Sequence, residues 1–198
     1  SGTEWDCQII HATKHKVDVE LLSKQSPKTE SALEITLLQS ISRSQRMDFV
    51  MQKATELGVK KIIPMISQNT VVRFKESNLK NKMAHWKKII ISAAEQSGRV
   101  KLPAIIKPIP FSEELLNEYK SPGSYFLDTT GDSGFSSKKI SKTTIVVGPE
   151  GGFTVDEKQI AIDTGYKIVK TGPRLLRTET APIMAISILQ YLYGDFSN

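Results

Sequence analysis

Thr171-Gly172-Pro173-Arg174-Leu175-Leu176-Arg177-Thr178-Glu179-Thr180-Ala181 sets a glycine-proline turn, two guanidinium groups and a carboxylate directly before an apolar helical stretch. Arginines held near the backbone amides of a helix start suit an anionic or electron-rich substrate. A second glycine turn, Gly148-Pro149-Glu150-Gly151-Gly152, follows the apolar run Ile145-Val146-Val147. Two backbone-exposing loops, each leaving the end of a short strand, predict one ligand crevice between them.

Neither loop carries the dinucleotide fingerprint G-x-G-x-x-G or ends in the Gly-Lys-Ser or Gly-Lys-Thr of a P-loop, which disfavours a nucleotide triphosphate. Glu150 would repel phosphates, whereas exposed amides and carbonyls beside a carboxylate can accept an adenosine carrying a positively charged sulfonium. Plainer roles stand beside these. The glycines can serve the strand-to-helix turn alone. Arg174 can pair with Glu179 or a loop carbonyl as readily as it touches a substrate. Thr178 is expected to cap the helix that follows.

The elements that must hold these loops alternate in the manner of an α/β chain. Apolar residues Met47, Val50, Met51, Ala54 and Leu57 recur at three and four, predicting a helix over 45–57 closed by Gly58 and followed by a strand at 59–66. Leu79, Met83, Trp86, Ile90, Ala93 and Ala94 mark one face of the next helix, with Lys80, Lys87 and Glu95 outward and Gly98 at its end. An extended segment is expected near 104–107, a helix near 112–119, and strands at 33–39, 124–128, 143–147 and 167–170. Thr154 and Glu157, three apart, form a capping-box signal for a helix after the first glycine turn. The last helix, from about Glu179 to Tyr193, is apolar almost all round and must be covered on more than one side, by another subunit or by an unusual threading of the terminus. Residues 1–23 read as a strand pair about the polar Lys14-His15-Lys16, and 25–31 as a connector to the rest.

The chain has 198 residues, 39% of them hydrophobic, which suffices for one sizeable domain or a domain with a small module. Its longest apolar stretch, near Ile183 to Tyr193, falls short of the roughly 20 residues a bilayer span needs, so no membrane partner is expected. Neither is a signal peptide. Cys7 is the single cysteine, and no Cys or His cluster has zinc spacing, which predicts a reducing, cytoplasmic setting without a metal. His11 and His15 lie on a strand-like segment that would hold them about 13 Å apart. The net charge is +6, but residues 43–101 hold 13 Lys or Arg against Asp48, Glu56, Glu76 and Glu95, a local +9 of the kind a phosphate-backbone face needs.

Four segments together resemble a known family: Gln52-Lys53-Ala54-Thr55-Glu56-Leu57-Gly58-Val59, Ala94-Glu95-Gln96-Ser97-Gly98-Arg99, the turn at 148–152, and 172–181. They are similar, in order from about residue 34 to the end, to the RsmE-type methyltransferases of the SPOUT class, which methylate N3 of a uridine in small-subunit (16S) ribosomal RNA. The resemblance implies an α/β, SPOUT-type parallel-sheet domain at 32–198 with a C-terminal deep trefoil knot, an exception to the usual rule against knots. It implies a partial PUA-like β-barrel with its connector at 1–31, with several strands of that barrel absent from the sequence or from the protein. It further implies S-adenosyl-L-methionine as cofactor and an obligate homodimer. Around the cofactor it puts Leu127, Gly148, Gly152, Thr171, Gly172, Leu175, Leu176 and Arg177, with Thr171 departing from an expected leucine.

Uracil N3 carries a proton at neutral pH, so its methylation needs that proton removed and the charge on O2 and O4 stabilised. Arg177 is the expected stabiliser and Glu179 the candidate proton acceptor. Arg43, Arg46, Lys53, Gln96 and Arg99 are expected to hold the RNA, naked or in an assembled small-subunit particle. Two other functions fit the same residues: a SPOUT enzyme acting on another base or a ribose hydroxyl, and a catalytically inactive RNA-binding module of ribosome assembly.

Overall fold

A computed structural model describes residues 2–72, 76–131, 134–136 and 138–197. The chain opens with an antiparallel hairpin, β1 (Glu4–Ala12) and β2 (Val17–Gln25), closed where Thr13 and Lys16 exchange backbone and side-chain hydrogen bonds. These two strands form a sheet by themselves, and Trp5, Ile9, Ile10, Leu21 and Leu22 on them are exposed. His11 ends up on β1 and His15 in its turn, both at the surface.

The remaining strands build one parallel sheet. After β3 (Glu34–Ser40) come α1 (Ser44–Glu56), β4 (Lys61–Ile66) and α2 (Glu76–Gln96). Two short strands follow, β5 (Ala104–Ile105) and β6 (Ile109–Pro110), then α3 (Glu113–Glu118), β7 (Gly123–Leu127), β8 (Lys142–Val147), α4 (Val155–Asp163), β9 (Lys167–Val169) and α5 (Thr180–Tyr193). The strand order is β5-β4-β3-β8-β7-β9, with β6 also paired to β4.

Both faces of this sheet are covered, and successive residues divide between them as the two-residue period of a strand requires. Leu37, Ile62, Tyr125 and Ile145 join the core beneath α1, α2 and α5, while their chain neighbours Leu38, Ile63, Phe126 and Val146 join the core beneath α3 and α4. Central strands are therefore buried on both faces, which explains why β8 is buried continuously from Thr143 to Val147 and not in alternation. Trp86, Ile90, Ala93 and Ala94 of α2 are buried and Lys80, Lys87 and Glu95 exposed, as the helical spacing requires. Thr154 and Glu157 make both bonds of the capping box at α4.

The connector is fastened by charge. Glu30 accepts hydrogen bonds from Arg99 Nη2 and Lys60 Nζ, each at 2.8 Å, and Arg99 Nη1 donates to the carbonyls of Thr55 and Val59 at 2.8 and 3.0 Å. Burial opposes the charge on Glu30, but the bonds from Arg99 and Lys60 outweigh it and hold the carboxyl down at about 2. Arg99 is thus a buried strut, its side chain 3% exposed, and not the exposed RNA contact expected of a residue in a basic run. Its partners lie 40 to 69 residues away in sequence, so a local charge pattern carries no sign of them.

Candidate active site

The C-terminal ends of β7, β8 and β9 lie side by side, and the loops that leave them enclose a crevice of about 370 Å³. Open parallel sheets place ligand sites at this end of the strands, and the volume lies within the usual range of about 300–1,000 Å³ for small-molecule sites. Leu127 comes from the end of β7, Gly148 and Gly152 from the turn after β8, and Thr171, Gly172, Leu175, Leu176 and Arg177 from the turn after β9. All eight line this crevice. The structure therefore brings the two glycine loops together, though residues 153–170 part them in the chain.

Backbone geometry keeps the crevice open. Gly152 and Gly172 have φ of +70° and +87°, conformations that side-chain-bearing residues rarely adopt, and a Cβ built at either meets no atom within 4 Å. Leu127, Val147, Phe153 and Leu176 supply apolar wall, and the turn after β9 leaves Leu175 exposed at its rim.

Thr178 joins the two loops instead of capping α5. Its hydroxyl donates a 2.7 Å hydrogen bond to the Gly148 carbonyl and accepts one of 3.2 Å from the Gln39 amide, which also donates to the Thr178 carbonyl. The cap position of α5 falls on Glu179, which makes no side-chain cap bond. Gln39 is fully buried at the end of β3. Sequence reading passed over it, although a glutamine directly after Leu37-Leu38 near the end of a strand is the signal that would have marked it.

Charged groups gather at the mouth. Arg46, on the first turn of α1, donates from Nη1 to Glu150 Oε1 at 2.8 Å, and its Nε stands 3.7 Å from Glu179 Oε1. Arg177 Nη1 lies 4.0 Å from the same Glu179 oxygen, but its side chain is 78% exposed against 15% for Glu179. The other oxygen, Glu179 Oε2, is buried without a hydrogen bond. Arg174 lines the crevice and is exposed. Asp128, just beyond β7, also lines it, bonded to Thr130 and 3.6 Å from Lys158. The chain therefore offers, in one place, a largely buried carboxylate and an exposed guanidinium to meet negative charge.

The residues expected to hold RNA are not gathered in this way. Arg46 belongs to the crevice. Arg43 is exposed immediately before α1. Lys53 bonds Glu56 on the same helix at 2.8 Å. Gln96 lies in a separate groove between α1 and α2, with Gln45, Asp48, Phe49 and Gln52. Arg99 is the buried strut described above. Arg73 and Lys75, which contribute to the basic segment, lie outside the described residues. No described helix is long and apolar enough to cross a membrane.

Comparison with known proteins bears on this geometry. A family profile of the RNA methyltransferase domain matches residues 29–190. The chain is 36% identical over 191 residues to ribosomal RNA small subunit methyltransferase E of Buchnera aphidicola, covering 96% of this chain and 76% of that protein. It superposes with a TM-score of 0.90 at 37% identity on a ribosomal RNA small subunit methyltransferase E from Neisseria gonorrhoeae, solved bound to S-adenosyl methionine, over 98% of this chain and 81% of that one. A methyltransferase from Legionella pneumophila, solved with bound cofactor SAM, gives 0.93 at 34% identity over the same shares.

Proposed function

The chain belongs to the ribosomal RNA small subunit methyltransferase E family, and on that premise we propose that it transfers a methyl group from S-adenosyl-L-methionine to N3 of a uridine in small-subunit (16S) ribosomal RNA. The observation that carries this reading is the single crevice in which two positive-φ glycine loops meet a cluster of Arg46, Glu150, Arg177 and Glu179.

The residues present fit the cofactor. Leu127, Gly148, Gly152, Thr171, Gly172, Leu175, Leu176 and Arg177 would hold it, with main-chain groups beside the two glycines approachable from the open side and Leu127 and Leu176 offering apolar wall. Glu150 suits a neighbouring cation. When bound, S-adenosylmethionine supplies an electrophilic methyl group, its carbon–sulfur bond breaking with the electron pair left on sulfur. The chain must deal with the rest. Glu179 takes the proton as the N3–H bond breaks, and the pair left on N3 forms the new bond to carbon. Arg177 meets the charge that spreads to O2 and O4, an electrostatic role that is strongest where water is excluded. Orientation of N3 by the loops lowers the barrier further.

The finer architecture belongs to the same proposal. Residues 32–198 form the methyltransferase domain, and α5 threads the preceding loops into a trefoil knot. Residues 1–31 belong to a PUA-like RNA-binding module. Ile188, Tyr191 and Leu192 leave an apolar stripe of α5 exposed, which supports a homodimer. Arg43 and the outward lysines of α2 meet RNA phosphates. Ribosomal RNA as substrate implies a cytoplasmic site of action.

The test is to incubate the chain with labelled S-adenosylmethionine and either naked 16S RNA or small-subunit particles lacking the modification, then digest to nucleosides. N3-methyluridine is the expected product. Label on a ribose or on another base, or no transfer at all, overturns the reading.

A further inference from the structure

We infer that Arg46 is a positioning residue of the methyl transfer, a bridge that holds Glu179 in place, and not a contact to the RNA backbone. The inference rests on the reading of the crevice as a methyl-transfer site. Its observations are independent of the family: a guanidinium shared by two carboxylates from different loops, and one carboxylate oxygen left buried and unbonded.

Three segments meet at Arg46. It comes from the start of α1, Glu150 from the turn after β8, and Glu179 from the cap position of α5. The planar guanidinium presents donors on different edges, so Nη1 can bond Glu150 at 2.8 Å while Nε faces Glu179 at 3.7 Å. A lysine, a single point charge, cannot span both. Two carboxylates beside one guanidinium would otherwise repel each other. With the bridge in place, Glu179 Oε1 is turned toward Arg46 and Arg177, while Oε2 is buried without a hydrogen bond. Held in that orientation, the carboxylate takes the N3 proton and then releases it to solvent, which restores it.

The two arginines therefore divide the work by exposure. Arg46, 35% exposed, hydrogen-bonded to Glu150 and within ion-pair range of Glu179, is committed to the protein. Arg177, 78% exposed and 4.0 Å from its nearest carboxylate oxygen, is free to follow the substrate. With Nη1 on Glu150 and Nε facing Glu179, two edges of the Arg46 guanidinium are already turned to the protein's own carboxylates.

The experiment is single-turnover methyl transfer to small-subunit particles by Arg46→Gln and Arg46→Lys, with KM for the particle and its salt dependence measured alongside. A bridge predicts a fall in kcat of about 100-fold, the scale of a roughly 1 Å misplacement, with little rescue by lysine. KM and the salt slope stay at parental values. A raised KM with a shallower salt slope and parental kcat would show a phosphate contact and overturn the inference. Double-mutant cycles in urea unfolding, pairing Arg46→Gln with Glu150→Gln and with Glu179→Gln, read the bridge without catalysis. Coupling is expected in both cycles. Additive effects overturn the bridge even if wild-type chain methylates well, whereas coupling in a chain that methylates no uridine overturns the functional reading and leaves the bridge standing.

Discussion

The Thr178 hydroxyl hydrogen-bonds the Gly148 carbonyl at 2.7 Å, fastening the turn after β9 to the turn after β8. Thirty residues separate the partners in sequence, and the bond closes the floor of the crevice. Thr178→Val keeps the shape and removes the donor, leaving the Gly148 carbonyl without that bond while the Gln39 amide keeps the carbonyls of Ser40 and Thr178. A buried polar group left unsatisfied costs about 1–3 kcal/mol. Urea unfolding is expected to register that loss, and calorimetry a weaker affinity for S-adenosylmethionine. Parental values in both would mean the tether is inconsequential.

Gly172→Val is expected to abolish cofactor binding while the chain still folds. At φ +87° a branched side chain is strained, and it would project where the crevice is open. Titration calorimetry with S-adenosylmethionine checks this. Retained affinity would place the cofactor away from the turn after β9.

Arg99→Ala is expected to destabilise the fold by about 1–3 kcal/mol, because it leaves Glu30 to Lys60 and takes a donor from the buried carbonyls of Thr55 and Val59. Thermal or urea unfolding is the measurement. Glu30 adds a pH dependence whose sign is fixed. Its folded-state value of about 2 lies below the ordinary 4.5, so its stabilisation is complete above 4.5 and is lost as the pH falls toward 2. The stability gap between wild type and Glu30→Gln should therefore narrow through that window and close at its lower end. A gap that holds constant would show that the Glu30 charge contributes nothing.

Arg177→Ala is expected to slow methyl transfer by the equivalent of about 2.7–4 kcal/mol, with RNA affinity little changed, since the contact strengthens only as charge develops on the uracil. Raising the pH should recover activity in the variant more than in wild type. If Arg177→Ala turns over at the parental rate while Glu179→Ala is inactive, the carboxylate carries the chemistry alone.

Leu192→Asp sits on the exposed stripe of α5, 45% accessible, where it removes apolar contact area without touching the core. Sedimentation at micromolar concentration is expected to show a dimer for wild type and a monomer for the variant. A monomeric wild type would leave the stripe unexplained by self-association.

Local order was legible in the residues. The three-and-four spacing of Met47, Val50, Met51 and Ala54 and the capping box of Thr154 and Glu157 depend on neighbours within a turn or two, and each stands where the pattern puts it. So do the two glycine turns, whose backbone freedom is a property of glycine itself. What spacing could not reveal is which side chains meet across the sheet. Thr178 looked like a helix cap because threonine favours that position, yet the close approach of β8 and β9 through β7 offered it the Gly148 carbonyl. Arg99 looked like surface charge because it stands in a basic run, yet Glu30 and two carbonyls took four of its five N–H donors in the folded molecule. Arg46 shared the same basic run and went to a pair of carboxylates more than 100 residues away. Helices and turns are set by interactions between near neighbours and so are written along the sequence. The partner of a long charged or polar side chain is set by whichever group the packing of distant elements brings within about 3 Å.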